Sequence, residues 1–179
     1  MSIAARNVQR AGCSLRTEQI GHSRGWRWET GGREHTDVLV ASRQHSIFLK
    51  SDGTVWAAGN GDHGRLGDGS PGVQRPTAVH VSALGSDNMA VSAGEQHSLY
   101  LKANGRAWSV GRSNAGQLGV DSLSTKMNQN RDTPEEISSL TTAGANILGI
   151  TAGNFHSAFL EAGGTVYVCG EGNFGRLGV

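Results

Sequence analysis

Two glycine-rich segments have the residue types and spacing of a dinucleotide-binding loop. Gly59 to Gly64 and Gly170 to Gly175 both read G-x-G-x-x-G, and both follow a strand-like run. A dinucleotide-binding loop opens a helix whose N-terminus holds the pyrophosphate, whereas each of these segments continues into Leu-Gly and a turn. We therefore predict that the glycines serve turns that need positive φ angles, and no cofactor is expected.

Three His-Ser pairs have residue types that could bind a metal or support nucleophilic catalysis. They begin at His45, His97 and His156. Metal ligands must converge, but one histidine per repeat is expected to lie far from its equivalents. Adjacent strand residues point to opposite faces, so the serine is not placed for activation by its neighbour. We predict buried rings bonded to neighbouring backbone, with the serines satisfying the turn. No catalytic or metal-binding residue is predicted, and the chain is not expected to be an enzyme.

A long polar stretch between Gly119 and Pro134 contains a partial calcium-site pattern. Asn128, Asn130 and Asp132 alternate as ligands do in a calcium-binding loop, but the required glycine and distal glutamate are missing. Insertions in repeat proteins usually lie in loops on one face, often the binding face. We predict a solvated surface loop and regard it as a first candidate for a specific contact.

All of these residues belong to one 23-residue unit that occurs three times. The copies start at residues 45, 97 and 156, align without a gap, and each closes on Leu-Gly. Their starts are 52 and 59 residues apart, at or just above the period of propellers and other repeat arrays. Each period predicts about four short antiparallel strands. The runs that we predict as strands are 38–41, 46–50, 54–58, 89–93 and 147–152, with outer strands near 77–81 and 136–140.

Composition limits the partner classes without naming one. The net charge of +1 gives no global reason to expect nucleic acid or an anionic membrane, and no apolar run approaches the roughly 20 residues of a membrane helix. Cys13 and Cys169 are the only cysteines, so neither a disulfide framework nor a zinc site follows. With no N-x-Ser/Thr sequon and no secretory signal pattern, an intracellular protein is predicted, cytoplasmic or nuclear.

The N-terminal segment, residues 1–37, does not match the repeat and is predicted to be divergent and flexible. It contains Arg6, Arg10 and Arg16 and has no acidic residue before Glu18. This composition leaves a mitochondrial transit peptide open as an alternative. The repeat domain is predicted to cover residues 38–179.

The repeat pattern resembles that of the regulator of chromosome condensation family. The pattern, V-x-A-G-x-x-H-S-x-x-L-x-x-x-G-x-V, followed by a glycine-rich turn and Leu-Gly, covers residues 38–178. The resemblance implies an all-β fold, a seven-bladed β-propeller. It does not imply one function, because members include an exchange factor for the GTPase Ran and domains attached to HECT ubiquitin ligases.

The sequence departs from the family pattern in two ways. Where the family commonly has tryptophan before the second glycine, this chain has Ala58, Val110 and Cys169, and aromatic residues stand two positions earlier. There are also three repeats rather than seven, so a partial or open propeller is expected. Three such units form an open arc, assemble with other chains as a homo-oligomer, or belong to a longer protein, and the last alternative is favoured.

Variable positions within the repeated glycine frame are the candidate partner contacts, because they are not needed for the turn itself. We predict a non-catalytic protein-interaction module that binds a protein partner through these loops. The alternatives are a guanine nucleotide exchange factor for a Ran-type small GTPase, whose inserting loop has no matching segment here, and a fragment of a multi-domain regulator such as a ubiquitin ligase. Chromatin is not expected as a partner of this chain alone. The candidate contacts are Asp62, His63, Arg65, Arg112, Asn114, Gln117, Glu171, Asn173, Phe174 and Arg176.

Overall fold

The computed structural model describes residues 8–10, 13–15, 38–120 and 129–178. Strands β1 (Val8–Arg10) and β2 (Cys13–Leu15) form a short antiparallel hairpin. Most of the predicted N-terminal segment, and residues 121–128 of the predicted long loop, lie outside the described residues.

The repeats form three antiparallel sheets, which we call blades. In each blade the strands pair in chain order, so every connection joins neighbours. The first blade has β3 (Val38–Ala41), β4 (His45–Leu49), β5 (Val55–Gly59) and β6 (Arg75–His80). The second has β7 (Asn88–Ala93), β8 (His97–Lys102), β9 (Ala107–Gly111) and β10 (Arg131–Glu136). The third has β11 (Ile147–Ala152), β12 (His156–Glu161) and β13 (Val166–Gly170).

Short helical turns occupy several connections. Three 3-10 turns cover Asp62–Gly64, Ser82–Leu84 and Asn173–Gly175, and α1 covers Ser138–Thr142. No helix among the described residues is both long and apolar enough to cross a membrane.

The inner strands follow the prediction, but the outer strands begin earlier. In the second blade the strand covers Arg131–Glu136, and the predicted strand near 136–140 is wrong because Ser138–Thr142 is helical. Pro76 and Pro134 lie inside the outer strands, where the register shifts, rather than before them. Proline has no N–H to donate to the hydrogen bonds of a central strand. A proline is tolerated in an edge strand at a bulge, as it is here.

The predicted hairpin between the two central strands is confirmed, and its glycine is needed for two reasons. Gly53 has a φ of 78°, a conformation that an L side chain rarely adopts. A Cβ atom placed there would also lie 1.9 Å from the carbonyl oxygen of Ser86. The glycine therefore permits both the turn and the close approach of the segment that enters the next blade.

The blades stack face to face, and the core lies between them. We call the face that bears the repeat histidine the forward face, and the opposite face, which bears the following serine, the backward face. In the first interface, Ile47, Leu49 and Val55 on the forward face pack with Val91 and Tyr100 on the backward face of the second blade. The second and third blades repeat this contact, with a core of Leu99, Leu101, Ala107, Leu118, Val120, Ile137, Leu140, Ile147 and Phe159.

Candidate functional site

Each interface between blades contains a polar relay in addition to its apolar core. The Nε2 atom of His45 lies 2.9 Å from the Oγ atom of Ser98, and that hydroxyl donates to the carbonyl oxygen of Arg65 at 2.7 Å. His97 and Ser157 repeat the first contact at 2.9 Å, and Ser157 donates to the carbonyl of Gln117 at 2.7 Å. Because the hydroxyl hydrogen points to the carbonyl, its oxygen accepts from Nε2–H.

This relay corrects the predicted role of the His-Ser pairs. The rings were expected to bond to neighbouring backbone, but the partner of Nε2 is the serine side chain of the following repeat. That serine satisfies a carbonyl in the loop of the preceding blade rather than its own turn. A histidine and a serine from different repeats therefore join each pair of blades.

Burial keeps the rings of His45 and His97 neutral, because it lowers the pKa of each. It lowers the pKa of His45 to about 3, with the charge of Arg65 and the neighbouring His97 as further causes. It lowers the pKa of His97 to about 4, with a smaller effect from His156. One repeat histidine thus influences the pKa of the next, which the prediction of well-separated rings did not include. Among the described residues no group of three or more His, Cys, Asp or Glu could hold a metal ion.

The glycine-rich loops lie at the same end of all three blades. The backbone N–H groups of Asn60, Arg112 and Glu171 donate to the carbonyls just before the repeat histidines, at 2.8, 2.9 and 2.8 Å. Because the blades stack and each loop is held in the same way, the loops form a row. We call this row the rim; it consists of residues 60–65, 112–117 and 171–176 together with the turns at 42–44, 94–96 and 153–155.

The first and third rim loops share one backbone conformation. His63 and Phe174 occupy the same position, and both have a φ of 61°. Arg65 Nε donates to the carbonyl of Asp62 at 2.9 Å, and in the third loop an arginine repeats this bond at 2.8 Å. The middle loop has glutamine in place of that arginine, and the Gln117 side chain accepts from a backbone N–H at 2.9 Å. The glycines of these loops serve turns, as predicted, and in the described part of the chain no helix begins directly after them.

Two of the predicted contact residues are enclosed by the fold. Arg65 is 1% exposed and Gln117 is 0% exposed. The Arg65 guanidinium donates to the side chain of Gln44 at 2.6 Å and to the carbonyl of Glu95 at 3.2 Å, so it joins the first two blades. Burial lowers the pKa of this arginine. The residue type at this position therefore varies between copies because the side chains pack differently inside the fold. Their burial argues against both residues as partner contacts.

The other predicted residues lie at or near the surface of the rim. Asp62, Asn114 and Asn173 are exposed, whereas Arg112, Glu171, Arg176 and His63 are partly buried. The ring of Phe174 is 97% exposed. At the equivalent position in the first blade, the Nδ1 atom of His63 accepts from Asn130 Nδ2 of the second blade at 3.2 Å.

Sequence reasoning missed the turns before the repeat histidines. Arg43 donates to the carboxylate of Glu95 at 3.4 Å, which joins the first blade to the second. The N–H of Glu95 donates to the carbonyl of Asn154 at 3.2 Å, which joins the second blade to the third. The available signal was that the residue two positions before each histidine differs in all three copies (Arg43, Glu95 and Asn154), as the loop residues do.

Comparison with known proteins agrees with this geometry. The model of the regulator of chromosome condensation (RCC1) repeat matches residues 52–101 and 104–160, and a second model of that repeat matches 90–117 and 147–176. The chain belongs to the RCC1 repeat family. Its three blades are therefore part of an RCC1-type β-propeller, and the predicted fold class is confirmed.

The chain is similar to much longer proteins. The human E3 ubiquitin-protein ligase HERC2 is 34% identical over 142 residues, which make up 78% of this chain and 3% of that protein. The regulator of chromosome condensation of Xenopus laevis is 26% identical over 156 residues, or 79% of this chain and 36% of that protein. Yeast RCC1 (Prp20) bound to Kap60 has a TM-score of 0.67 at 22% identity, covering 89% of this chain and 38% of that one. The RCC1-repeat chain thus spans well under half of these relatives.

Proposed function

We propose that this RCC1-repeat chain is a non-catalytic module that binds an intracellular protein partner through the rim. The observation that carries the proposal is the row of three loops, which have equivalent backbone anchors but different side chains. Equivalent anchors hold the loops in place, so binding costs little ordering entropy. The different side chains provide the specificity.

The chemistry of the rim suits a protein surface of mixed polarity. Its exposed members include a carboxylate (Asp62), an amide (Asn114) and the guanidinium of Arg43, whose side chain is 77% exposed. The row contains charges of both signs, so a partner with one dominant charge gains little. Arginine and aromatic side chains supply the strong contacts in such interfaces.

Similarity to HERC2 supports a place for this module in a longer regulator of the ubiquitin-ligase class. In such a protein the rim would select a partner protein, and any transfer chemistry would belong to another domain. The chain contributes recognition alone under this proposal.

The test compares lysine substitutions at the two ends of the blades. Asn114→Lys with Asn154→Lys adds two charges to the rim, and Ser51→Lys with Ala103→Lys adds two at the opposite end; all four residues are exposed. Each intact chain is immobilised, and proteins captured from cell extract are quantified. We expect the rim variant to lose capture at least about tenfold, or 1.4 kcal/mol, while the control retains it. Equal capture by both variants would overturn the assignment of the rim.

A second candidate function, exchange-factor activity on a Ran-type GTPase, rests on the 26% identity to the regulator of chromosome condensation. Such a factor stabilises the nucleotide-free GTPase without covalent chemistry. The release of labelled GDP from Ran-type GTPases is measured with and without micromolar chain. Faster release that the rim variant abolishes would favour this candidate, and unchanged release would exclude it.

A further inference from the structure

Three arginines lie around one turn of the rim, at the junction of the first and second blades. The guanidinium of Arg43 lies 3.4 Å from the carboxylate of Glu95, and the guanidinium of Arg65 donates to the carbonyl of the same residue at 3.2 Å. Arg112 donates to the side chain of the next residue, Gln96, at 2.5 Å. We call Arg43, Arg65 and Arg112 the arginine cluster. Both blades that form this junction are described, so its surroundings do not depend on the open side of the third blade.

The members of the cluster are close enough to act on one another across the junction. The Cα atom of Arg65 lies 3.3 Å from the position that a Cβ atom would take on Gly111, so the loop that begins with Arg112 starts directly against the first blade. Burial lowers the pKa of His63, and the charges of Arg112 and then Arg65 lower it further. Positive potential therefore extends over the neighbouring part of the rim.

Two members of the cluster are available to a partner. The side chain of Arg43 is 77% exposed, and Arg112 is partly exposed. Within the described part of the chain, each of them donates one side-chain hydrogen bond, so most of its N–H groups remain for a partner. Arg65 is 1% exposed, and its bond to the carbonyl of Glu95 holds the turn between the other two.

The cluster has a small excess of positive charge. The carboxylates of Asp62 and Glu95 both act on Arg65, and Glu95 also faces Arg43. Three guanidinium groups are thus opposed by two carboxylates. This excess suits a single carboxylate of a protein partner. A phosphate group or a nucleic acid would bring more negative charge to one place than the excess can neutralise.

The next junction along the rim has a different charge, although its backbone is built in the same way. In the alignment of the repeats, the columns of the three arginines are occupied there by Glu95, Gln117 and Glu171. The basic cluster is therefore a property of one junction and not of the repeat. A partner that carries a matching carboxylate is held in one register along the rim.

We propose that the arginine cluster binds a carboxylate of the partner protein through the guanidinium groups of Arg43 and Arg112. A guanidinium presents parallel N–H donors that match the oxygens of a carboxylate. Arg65 is a positioning residue, because its bonds fix the turn on which the other two arginines converge. The inference rests on the proposed function, since the carboxylate belongs to the protein that the rim binds.

Glutamine substitution tests the cluster in the same capture experiment. The arginine variant, Arg43→Gln with Arg112→Gln, removes two positive charges from the rim and leaves Arg65 intact to preserve the fold. The control, Lys50→Gln with Arg106→Gln, removes two charges beside the hairpins at the opposite end of the blades. We expect the arginine variant to lose capture of extract proteins about tenfold at low ionic strength, and less at about 1 M salt, where ion pairs are screened. The control should retain capture, and circular dichroism verifies that each variant is folded.

The outcomes separate this inference from the proposed function. If the arginine variant retains capture while the Asn114→Lys, Asn154→Lys chain loses it, the rim binds a partner without the cluster and the inference is wrong. If both variants retain capture, the proposed function is wrong as well. Phosphatase treatment of the extract should leave capture by the wild-type chain unchanged. Loss of capture after this treatment would mean that a phosphorylated side chain, and not a carboxylate, binds the cluster.

Charge reversal then locates the carboxylate in a captured protein that the arginine variant fails to retain. Arg112→Glu should lose that protein, and replacement of one of its acidic surface residues by arginine should restore binding to the Arg112→Glu chain. The restoring pair is coupled, as contacting residues are in a double-mutant cycle. If no such replacement restores binding, the proposed contact is wrong.

Discussion

The serine hydroxyl in each relay has both of its hydrogen-bonding roles occupied inside the protein. Ser98 accepts from His45 and donates to Arg65. Without it, a buried N–H and a buried carbonyl lose their partner together, and an unsatisfied buried polar group costs about 1–3 kcal/mol. The relay therefore stabilises the stack chiefly by keeping a buried N–H and a buried carbonyl paired.

We expect Ser98→Ala to lower the free energy of unfolding by about 2 kcal/mol, as measured by urea denaturation. Ser46→Ala is the matched control, because Ser46 lies in the same column but is partly exposed. A Ser98→Ala chain as stable as the control would show that the relay contributes nothing to stability.

The depressed histidine pKa values predict sensitivity to acid. The pKa of His97 is about 4 in the folded chain against about 6.5 when unfolded, so the unfolded state binds the proton first. The contribution is present above about pH 6.5 and is lost as pH falls toward the folded value, by at most about 1.4 kcal/mol per pH unit for each histidine.

Urea denaturation at neutral pH and near pH 5 measures this loss. We expect His97→Gln to be less stable than wild type at neutral pH but to lose less stability on acidification. The control is His80→Gln, which removes an exposed histidine instead of a buried one. A His97→Gln chain with the wild-type pH dependence would contradict neutral burial of this ring.

At the scale of single elements, the two central strands and their hairpin are the most uniform part of each blade. The hairpin glycines differ, however, in what surrounds them. Gly53 has the carbonyl of Ser86 1.9 Å from its Cβ position. At Gly164, with a φ of 88°, no described residue other than its chain neighbours lies within 4 Å of the Cβ position. Both glycines are needed for a positive φ angle. Only at Gly53 does the segment entering the next blade also leave no room for a side chain.

Gly164→Ala should therefore cost only the left-handed strain, about 1–2 kcal/mol. Gly53→Ala should cost clearly more, because the connection into the second blade must also move. Urea denaturation of the two variants separates the strain from the clash. Equal losses would mean that the connection shifts freely, and the close approach would then have no energetic role.

At the scale of the whole molecule, the same leucine column has different environments in different blades. Leu101 is 4% exposed between the second and third blades, and Leu160 is 45% exposed on the open face. Leu101→Ala should cost about 2–5 kcal/mol, and Leu160→Ala should cost much less. Thermal and urea unfolding at low concentration measure both. Similar losses would show that the two leucines are equally enclosed in solution.

The sequence alone determined the repeat, the fold class and the inner strands of each blade. Turn glycines and alternating apolar residues act locally, so their spacing was enough to place the hairpins. The position of the outer strands was missed. Pro76 and Pro134 were predicted to come before these strands, but both lie within them.

Only the tertiary structure decided which repeats the functional groups join. A sequence period shows that His45 and His97 are equivalent, but it does not show that each binds the serine of the following repeat, 53 and 60 residues away. It also did not show that Arg65 is buried while Arg176 is partly exposed. Stacking makes this difference, because one loop is covered by the next blade and the other is on the open side. Equivalent residues thus have different roles according to what lies against their blade.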